Sequence, residues 1–213
     1  MVITNTINTF SSIFSVSRET INDLYKYEKM LIKANEKLNL IGKSTIKKIW
    51  DRHFLDSAQV IDLIGKNDNN ILDLGSGAGF PGLILAILGK DRKESFKVMV
   101  IEKSPKKETF LRKIVSELNL NVEVINENIM NKDIKFNNDV FVARAFKPLH
   151  VIFELIHSKA KNWKKIIVFQ GKSGKENIIR ASKSWDIQYK ERQSITSSDS
   201  IILEISELRK KIN

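Results

Sequence analysis

A chain of 213 residues, 42% of them hydrophobic and 29% charged, is long enough for one core-bearing globular domain with a small appendage. It contains no cysteine, which excludes disulfides, cysteine-bound zinc and thiol catalysis, and its three histidines show no metal-ligand spacing, so we expect no metal. The formal net charge of +11 favours a polyanionic partner, and the lack of a signal-peptide pattern or membrane-length apolar run predicts a cytoplasmic protein without membrane contact.

The first part of the chain, residues 1–66, is predicted to form a leader and a helical appendage. Residues 1–16 alternate small polar and apolar residues without a firm period and predict a loosely held leader. From Ser17 onward, apolar residues recur every three or four positions, which predicts an amphipathic helix. A second helix is expected from Ser44 to about Ile64, with its apolar side toward the main domain.

The remainder, residues 67–213, is predicted to form one domain in which strands alternate with helices. Strands are predicted at 71–74, 98–101, 122–125, 140–143 and 165–169, and the continuous apolar and β-branched run at 98–101 is typical of a strand buried on both faces. Helices are expected to begin near Pro81, Pro105 and Pro148. A basic loop or short helix at 171–184 precedes a closing hairpin made of residues 187–192 and 201–208. This order predicts an α/β fold with a doubly wound, mostly parallel, seven-stranded sheet.

The chain is organised around residues 71–82, where a predicted strand leads into a glycine-rich loop and then into a predicted helix. Gly77, Gly79 and Gly82 stand at GxGxxG spacing, which lets bare backbone approach a ligand closely. Glu102 ends the next predicted strand, where a carboxylate can accept hydrogen bonds from both hydroxyls of a ribose. The pattern favours an adenosine-containing ligand over a turn whose glycines serve only packing, and Glu102 fits NAD and S-adenosylmethionine equally.

Other features favour S-adenosylmethionine. Asp73 lies two residues before Gly75, where a carboxylate repels a pyrophosphate and attracts the ammonium group of a methionine. A Tyr-x-x-x-Lys pair of the kind used in hydride transfer does occur, at Tyr25 and Lys29, but it precedes the loop on the first predicted helix. The chain also leaves no room for a separate substrate domain, so a dehydrogenase is the remote alternative.

The methyl acceptor can be narrowed by what the chain lacks. Without cysteine it cannot attack a pyrimidine ring through a thiolate, and it has no Asn/Asp-Pro-Pro-aromatic tetrapeptide, the usual clamp for the exocyclic amines of adenine and cytosine. A ring nitrogen, a ribose hydroxyl, a protein side chain or a small molecule remains. A ring nitrogen such as guanine N7 needs alignment with the methyl group but no strong base, which fits the scarcity of candidate bases.

Four motifs carry a resemblance to a known family: Asn39-Leu40, Arg52-His53 with Asp56-Ser57, Asp73 to Gly82, and Ala143-Arg144-Ala145 with Leu149. From the first predicted helix to about Gly171, the chain resembles the bacterial 16S ribosomal RNA guanine-N7 methyltransferases, the RsmG or glucose-inhibited division protein B family. The resemblance implies a class I S-adenosylmethionine-dependent methyltransferase of Rossmann-like fold with an N-terminal helical appendage. It also implies S-adenosylmethionine as cofactor and, as target, the guanine at position 527 of 16S ribosomal RNA, within the 530 loop.

The loop pattern and the resemblance together predict the site. The expected cofactor-binding residues are Asp73, Gly75, Gly77, Gly79, Phe80, Glu102, Asn128, Ile129, Met130 and Arg144. The residues expected to position the substrate, with none acting as acid or base, are Arg52, His53, Asp56 and Arg144. Two places depart from the family. At 128–130, family members are expected to have Arg and Glu, which this chain lacks, so only backbone contacts to adenine are carried over. At Gln170 many members have Lys, and Lys172 can replace the phosphate contact of that Lys.

Several of these residues also have simpler interpretations. Arg52 and Asp56 lie four positions apart on the second predicted helix and can form an ion pair. His53 lies on the apolar side of that helix, where a buried, hydrogen-bonded histidine is common. We expect this group to have a structural or substrate-positioning role, because attack by N7 needs no base. Arg144 is expected to act beside the cofactor crevice rather than in a surface ion pair.

Basic residues from segments that should border the crevice are the candidates for RNA binding: Lys43, Lys47, Lys48, Arg52, Lys147, Lys172, Lys175 and Arg180. Another set is expected at the opposite edge of the sheet, where it serves only solubility: Lys159, Lys161, Lys164 and Lys165. The expected protein is a monomer acting on 16S ribosomal RNA, the small ribosomal subunit or its precursor. The alternatives are a methyltransferase for another RNA position and an RNA-binding module without catalysis, against which the intact glycine loop and Glu102 argue.

Overall fold

The computed structural model describes residues 2–212, so Met1 and Asn213, at the ends of the two predicted regions, lie outside the described residues.

The expectation of a loosely held leader over residues 1–16 is wrong. Helix α1 spans Val2–Phe14, and the side chains of Phe10 and Phe14 are buried with their ring centroids 4.8 Å apart. Phe10 also meets the Trp50 ring edge-on at 5.8 Å. Contact with a distant aromatic residue, which no local period reveals, fixes this helix.

The second helix, α2, spans Arg18–Leu38, as the apolar stripe predicts. Ser17 caps it, because its hydroxyl accepts a hydrogen bond from the Thr20 N–H. The carboxylate of Asp91 then accepts bonds from the Ser17 N–H at 3.1 Å and from the Thr20 hydroxyl at 2.6 Å. Asp91 ends helix α4, which spans Gly82–Asp91, so the start of α2 is tied to the main domain.

The second predicted helix is irregular rather than one α-helix. It consists of a 3-10 turn at Lys43–Lys48, a π-helical turn at Trp50–Leu55, the short helix α3 at Asp56–Ala58 and a second 3-10 turn at Ile61–Leu63. Its expected apolar side is confirmed, since Ile49, Trp50 and Phe54 are buried. A π-turn changes which side chains share a face, and such turns are frequent at functional sites.

All seven predicted strands are present in one sheet. Their bounds are β1 Asn70–Asp73, β2 Lys97–Ile101, β3 Val122–Ile125, β4 Val140–Arg144, β5 Lys165–Gln170, β6 Trp185–Gln193 and β7 Ile201–Lys210. The order is β3-β2-β1-β4-β5-β7-β6, with β1 to β5 paired in parallel and β7 antiparallel to both β5 and β6. The sheet reverses its winding between β1 and β4, so a ligand is expected beyond the carboxyl ends of these two strands.

Helices cover both faces of the sheet. On one face α4 and α5, which spans Pro105–Glu117, share an apolar cluster with α1 and α2, and Leu24 and Leu31 of α2 are fully buried in it. On the other face α6 at Leu149–Lys159 and α7 at Gly174–Ala181 belong to a second cluster. The predicted boundary near residue 66 therefore divides one continuous core. Within residues 2–212, no helix has the length and apolarity needed to cross a membrane.

Truncating Phe10 tests whether α1 belongs to this core. We expect Phe10→Ala to lower the free energy of unfolding by about 3–5 kcal/mol, the usual cost of removing a buried phenyl ring. Ile13→Ala on the same helix is the matched control, because the Ile13 side chain is 50% exposed. Urea unfolding measures both. Equal, small effects of the two substitutions would show that α1 does not pack on the protein in solution.

Candidate functional site

A crevice of about 700 Å³ opens at the carboxyl ends of β1, β2 and β4. It collects side chains and backbone from five parts of the chain that are distant in sequence. The residues predicted for the site that line it are His53, Gly75, Gly77, Phe80, Glu102, Asn128, Ile129, Met130, Arg144 and Lys147. The structure therefore brings together most of the predicted cofactor residues at the reversal point of the sheet.

The glycine loop contributes bare backbone to the crevice and is held from behind. Gly77 has a φ of +59°, and a Cβ added there would meet no atom within 4 Å, so it would project into open space. At Gly79, with a φ of +101°, a Cβ would lie 2.6 Å from both Leu83 and the Tyr27 hydroxyl. That hydroxyl donates a hydrogen bond to the Ala78 carbonyl. Helix α2 thus supports the loop, and only glycine allows so close an approach.

Asp73 does not line the crevice, which corrects the expectation of its direct exposure to a ligand. Its carboxyl group is fully buried behind the loop, where Oδ2 accepts a hydrogen bond from the Gly82 N–H at 3.0 Å. Burial raises the pKa of Asp73 to about 6. Its other oxygen, Oδ1, has no hydrogen-bond partner among the described residues. Asp73 therefore ties β1 to the start of α4 and retains one unused acceptor behind the loop.

Glu102 lies where the sequence places it, at the end of β2 and in the crevice. Its Oε2 accepts a hydrogen bond from the Gly77 N–H at 3.1 Å, and its Oε1 accepts one from the Ser104 N–H at 2.8 Å. These bonds orient the carboxylate against the glycine loop. Each carboxylate oxygen can accept more than one hydrogen bond, so Glu102 keeps acceptor capacity for the hydroxyl groups of a ligand.

The turn after β3 forms another wall. Asn128 Oδ1 accepts a hydrogen bond from the Met130 N–H at 3.1 Å, which shapes the turn locally. Ile129 is buried in the second apolar cluster, whereas the Met130 side chain is 44% exposed. The turn thus presents backbone, the exposed Asn128 and one flexible apolar side chain to the crevice.

Arg144 closes the crevice floor from the end of β4, and all its N–H groups point into the π-turn segment. Its Nε lies 3.3 Å from the Asp56 carboxylate, and its Nη1 donates to the Ser57 hydroxyl at 3.0 Å and to the His53 carbonyl at 3.5 Å. Its Nη2 donates to the Arg52 carbonyl at 3.1 Å and to His53 Nδ1 at 2.8 Å. All three guanidinium nitrogens therefore have partners within the protein.

This arrangement decides between the interpretations left open for Arg52 and Asp56. Asp56 pairs with Arg144 rather than with Arg52. Arg52 contributes its backbone carbonyl, while its side chain is exposed and makes no ion pair within residues 2–212. The cofactor role expected for Arg144 is not what its contacts favour, because its donors are engaged within the protein; it positions the π-turn segment.

His53 is buried and neutral. A guanidinium can only donate, so His53 Nδ1 accepts from Arg144 and the ring proton lies on Nε2, which contacts the Thr45 hydroxyl at 2.9 Å. Burial, together with the charge of Arg144, lowers the pKa of His53 to about 3. Its ring stacks on Phe80 with centroids 5.0 Å apart and planes 14° apart. A neutral ring whose two nitrogens are both engaged in hydrogen bonds supports the predicted positioning role.

Further hydrogen bonds support Asp56 from residues that no sequence pattern indicated. The Thr196 hydroxyl donates to Asp56 Oδ1 at 2.7 Å, and Gln59 donates to the same oxygen at 2.9 Å. Gln59 also accepts a bond from the Ile195 N–H, which anchors the loop between β6 and β7. Neutral polar residues in a loop and on an irregular helix carry no pattern, so only the tertiary structure reveals them.

The predicted RNA-binding residues are all exposed but do not form one group. Lys147 lines the crevice, whereas Arg180 lies instead at a second cavity of about 820 Å³ beside α6 and α7, which corrects its expected position. Two further lysines, Lys103 and Lys107, line the crevice and were missed. The sequence feature that could have indicated these two lysines is their position directly after Glu102, at the start of a helix. Exposed residues that do not line the crevice are Lys43, Lys47, Lys48, Arg52, Lys172 and Lys175.

Comparison with known proteins places this geometry in a family. A family model described as rRNA small subunit methyltransferase G matches residues 20–205. The chain belongs to this family. It is 42% identical to a protein named ribosomal RNA small subunit methyltransferase G from Pelagibacter ubique, over 92% of this chain and 93% of that one. The protein of the same name from Rickettsia akari is 36% identical, over 92% of this chain and 99% of that one.

Solved structures agree on the fold. An S-adenosylmethionine-dependent methyltransferase from Aquifex aeolicus matches with a TM-score of 0.56 at 18% identity, over 78% of this chain and 98% of that one. TYW2 of M. jannaschii, solved with AdoMet, matches with a TM-score of 0.55 at 14% identity, over 75% of this chain and 77% of that one. The class I methyltransferase fold predicted from the sequence is confirmed. Within residues 2–212, no cluster of three or more His, Cys, Asp or Glu side chains could hold a metal ion.

The neutrality of His53 predicts a pH dependence of stability. The unfolded chain protonates this histidine below its ordinary pKa of 6.5, whereas the folded protein keeps the ring neutral down to about 3. Falling pH therefore favours unfolding. We expect the stability of the native protein relative to His53→Gln to increase by about 2 kcal/mol between about pH 4.5 and 6.5 and to level off above about pH 7.5.

Urea unfolding of both proteins at several pH values measures this difference. Asp73, whose raised pKa acts in the opposite direction between 3.8 and about 6, is present in both proteins and cancels in the difference. A stability difference that does not change with pH would mean that His53 titrates normally in the folded protein and that its hydrogen bonds are not as described.

Proposed function

We propose that the protein transfers the methyl group of S-adenosylmethionine to N7 of a guanine in 16S ribosomal RNA, position 527 in the 530 loop by resemblance to its family. The observation that carries the proposal is the open backbone at Gly77 directly beside the Glu102 carboxylate, at the reversal point of the sheet. Family membership supports ribosomal RNA of the small subunit as the substrate.

The residues of the crevice fit S-adenosylmethionine. The space that a Cβ would fill at Gly77 admits the cofactor against the loop, and Glu102 can accept hydrogen bonds from its ribose hydroxyls. The turn at 128–130 offers backbone for the adenine. The unpartnered oxygen of Asp73, Oδ1, lies behind the loop rather than in the crevice. When bound, S-adenosylmethionine supplies an electrophilic methyl group on a sulfonium centre.

The side chains around the crevice hold and orient rather than exchange protons. His53 is neutral with both ring nitrogens engaged, and all three guanidinium nitrogens of Arg144 have partners inside the protein. Guanine N7 has a free lone pair, so methylation needs alignment but no general base. The ring of Phe80, with Arg144 5.4 Å from its centroid and His53 stacked on it, provides a rigid flat surface beside the crevice.

Lysines around the crevice are proposed to bind the phosphates of the RNA. Lys147 and Lys103 are exposed and line the crevice from β4 and β2, on either side of the glycine loop, and the half-buried Lys107 lies beside Lys103. A positive charge of +11 over the whole chain supports attraction of a polyanion over longer distances. We propose that the protein acts as a monomer in the cytoplasm, on the small ribosomal subunit or its precursor RNA.

Mapping N7-methylguanosine in ribosomal RNA tests the proposed function. Purified protein and S-adenosylmethionine are incubated with unmethylated 16S ribosomal RNA and, separately, with small subunits, and methylated guanines are located by chain cleavage. We expect one modified guanine, in the 530 loop. Modification at another nucleotide would favour the other-position alternative. Binding of S-adenosylhomocysteine and RNA without modification of either substrate would favour the non-catalytic alternative.

Gly77 is the position at which a side chain should block the cofactor. We expect Gly77→Asp to reduce binding of S-adenosylhomocysteine below detection by calorimetry, because the new carboxylate fills the open space beside Glu102 and adds like charge. Aspartate tolerates a positive φ better than most residues, so the fold should persist. Gly171→Asp adds the same side chain at an exposed glycine with open space and should bind normally. Normal binding by Gly77→Asp would mean that the cofactor lies elsewhere.

A further inference from the structure

The turn that borders the crevice at 128–130 is held by a residue outside the site. Lys159, the last residue of α6, extends its side chain to the turn, and its Nζ donates to the Ile129 carbonyl at 2.9 Å and to the Asn131 carbonyl. The residue is 8% exposed, so the expectation that it serves only solubility is wrong. The two carbonyls flank Met130, the exposed residue of the turn.

Burial makes this contact difficult to break. Removing a lysine ammonium from water costs free energy unless its N–H groups find acceptors. Within residues 2–212 Lys159 forms no ion pair, so its bonds to the carbonyls are the ones that compensate this cost. Its position at the carboxyl end of α6 adds a favourable interaction with the helix dipole. A movement of the turn away from α6 would break both bonds of the ammonium and leave the Ile129 carbonyl without its donor, so the turn follows the helix.

The backbone of the turn also has hydrogen bonds of its own. The Asn131 N–H donates to the Asn128 carbonyl at 2.8 Å, the Ile134 N–H donates to the Asn131 carbonyl at 3.4 Å, and Asn128 Oδ1 accepts from the Met130 N–H. Among the described residues, only Lys159 binds the Ile129 carbonyl. The side of the turn away from the crevice borders the second cavity, which Met130 and Lys159 both line. Lys159 is thus the residue that bridges the space behind the turn.

We propose that Lys159 is a positioning residue for the cofactor: by binding the Ile129 and Asn131 carbonyls it fixes the backbone against which the adenine of S-adenosylmethionine packs. The inference rests on the proposed function, since it assigns the adenine to this turn. It predicts an effect on cofactor affinity rather than on methyl transfer from the bound cofactor, because Lys159 does not line the crevice itself.

Lys159→Met tests the proposal, since methionine is of similar length and has no donor. We expect the KM for S-adenosylmethionine and the Kd for S-adenosylhomocysteine to rise about tenfold, the effect of losing a charge-assisted hydrogen bond. The kcat at saturating cofactor and the KM for RNA should stay within about twofold, because the other crevice residues are unchanged. Lys135→Met is the matched control: Lys135 is exposed and donates to the Ser158 carbonyl of the same helix end. It should match the native protein in all four constants.

Measurements are made well below the thermal transition of each variant. Should Lys159→Met not fold, Lys159→Gln, which keeps a neutral donor on a shorter chain that cannot reach both carbonyls, takes its place with the same expectation. An unchanged KM for S-adenosylmethionine in a folded Lys159 variant, or a fall in kcat alone, would overturn the inference while the proposed function stands. Absence of S-adenosylhomocysteine binding by the native protein and the Lys135 control would overturn the proposed function, and the inference with it.

Discussion

The site depends on the guanidinium of Arg144. A single side chain at the end of β4 satisfies the Asp56 carboxylate, the Ser57 hydroxyl, one nitrogen of His53 and two backbone carbonyls. Both carbonyls belong to the π-turn, where the usual helical hydrogen bonding is interrupted. Arg144 therefore supports the irregular helix by donating to the Arg52 and His53 carbonyls, the second of which also accepts from the Asp56 N–H. Removing the guanidinium would leave Asp56 Oδ2 without its cation and the buried His53 Nδ1 without its donor, which is more costly than the loss of one surface contact.

The ends of the chain hold the same region from opposite sides. Tyr27 of α2 donates to the Ala78 carbonyl within the glycine loop, and the Thr45 hydroxyl accepts a hydrogen bond from His53 Nε2. From the C-terminal hairpin, Thr196 bonds to the carboxylate of Asp56. The helical appendage and the hairpin are thus parts of the crevice wall, and neither can be removed without releasing the residues that shape it. This explains why the appendage shares its apolar cluster with α4 rather than having a core of its own.

Features that depend on local pattern were predictable, and those that depend on tertiary contact were not. The central strands β4 and β5 appear in the sequence as apolar runs because both of their faces are covered, and the glycine loop appears because its backbone needs positive φ. Helix α1 was missed because its order comes from Phe10 against Trp50, and the π-turn because Arg144 stabilises it. Lys159 has the same sequence signature as a solubilising lysine. Only the carbonyls that converge on it distinguish the two.

The distribution of charge within the crevice suits the proposed chemistry. Methyl transfer moves the positive charge from the sulfonium, which becomes a neutral thioether, to the guanine, so a positively charged floor would disfavour both the bound cofactor and the methylated base. Arg144 is neutralised by Asp56, burial keeps His53 uncharged, and Glu102 adds a negative charge beside the loop. The exposed lysines Lys103 and Lys147 line the same crevice and are the residues proposed to bind the phosphates. Strong attraction for a polyanion at the opening is thereby combined with an interior that tolerates a developing cation. The ion pair of Arg144 with Asp56 serves both requirements, since it fixes the wall and removes its charge.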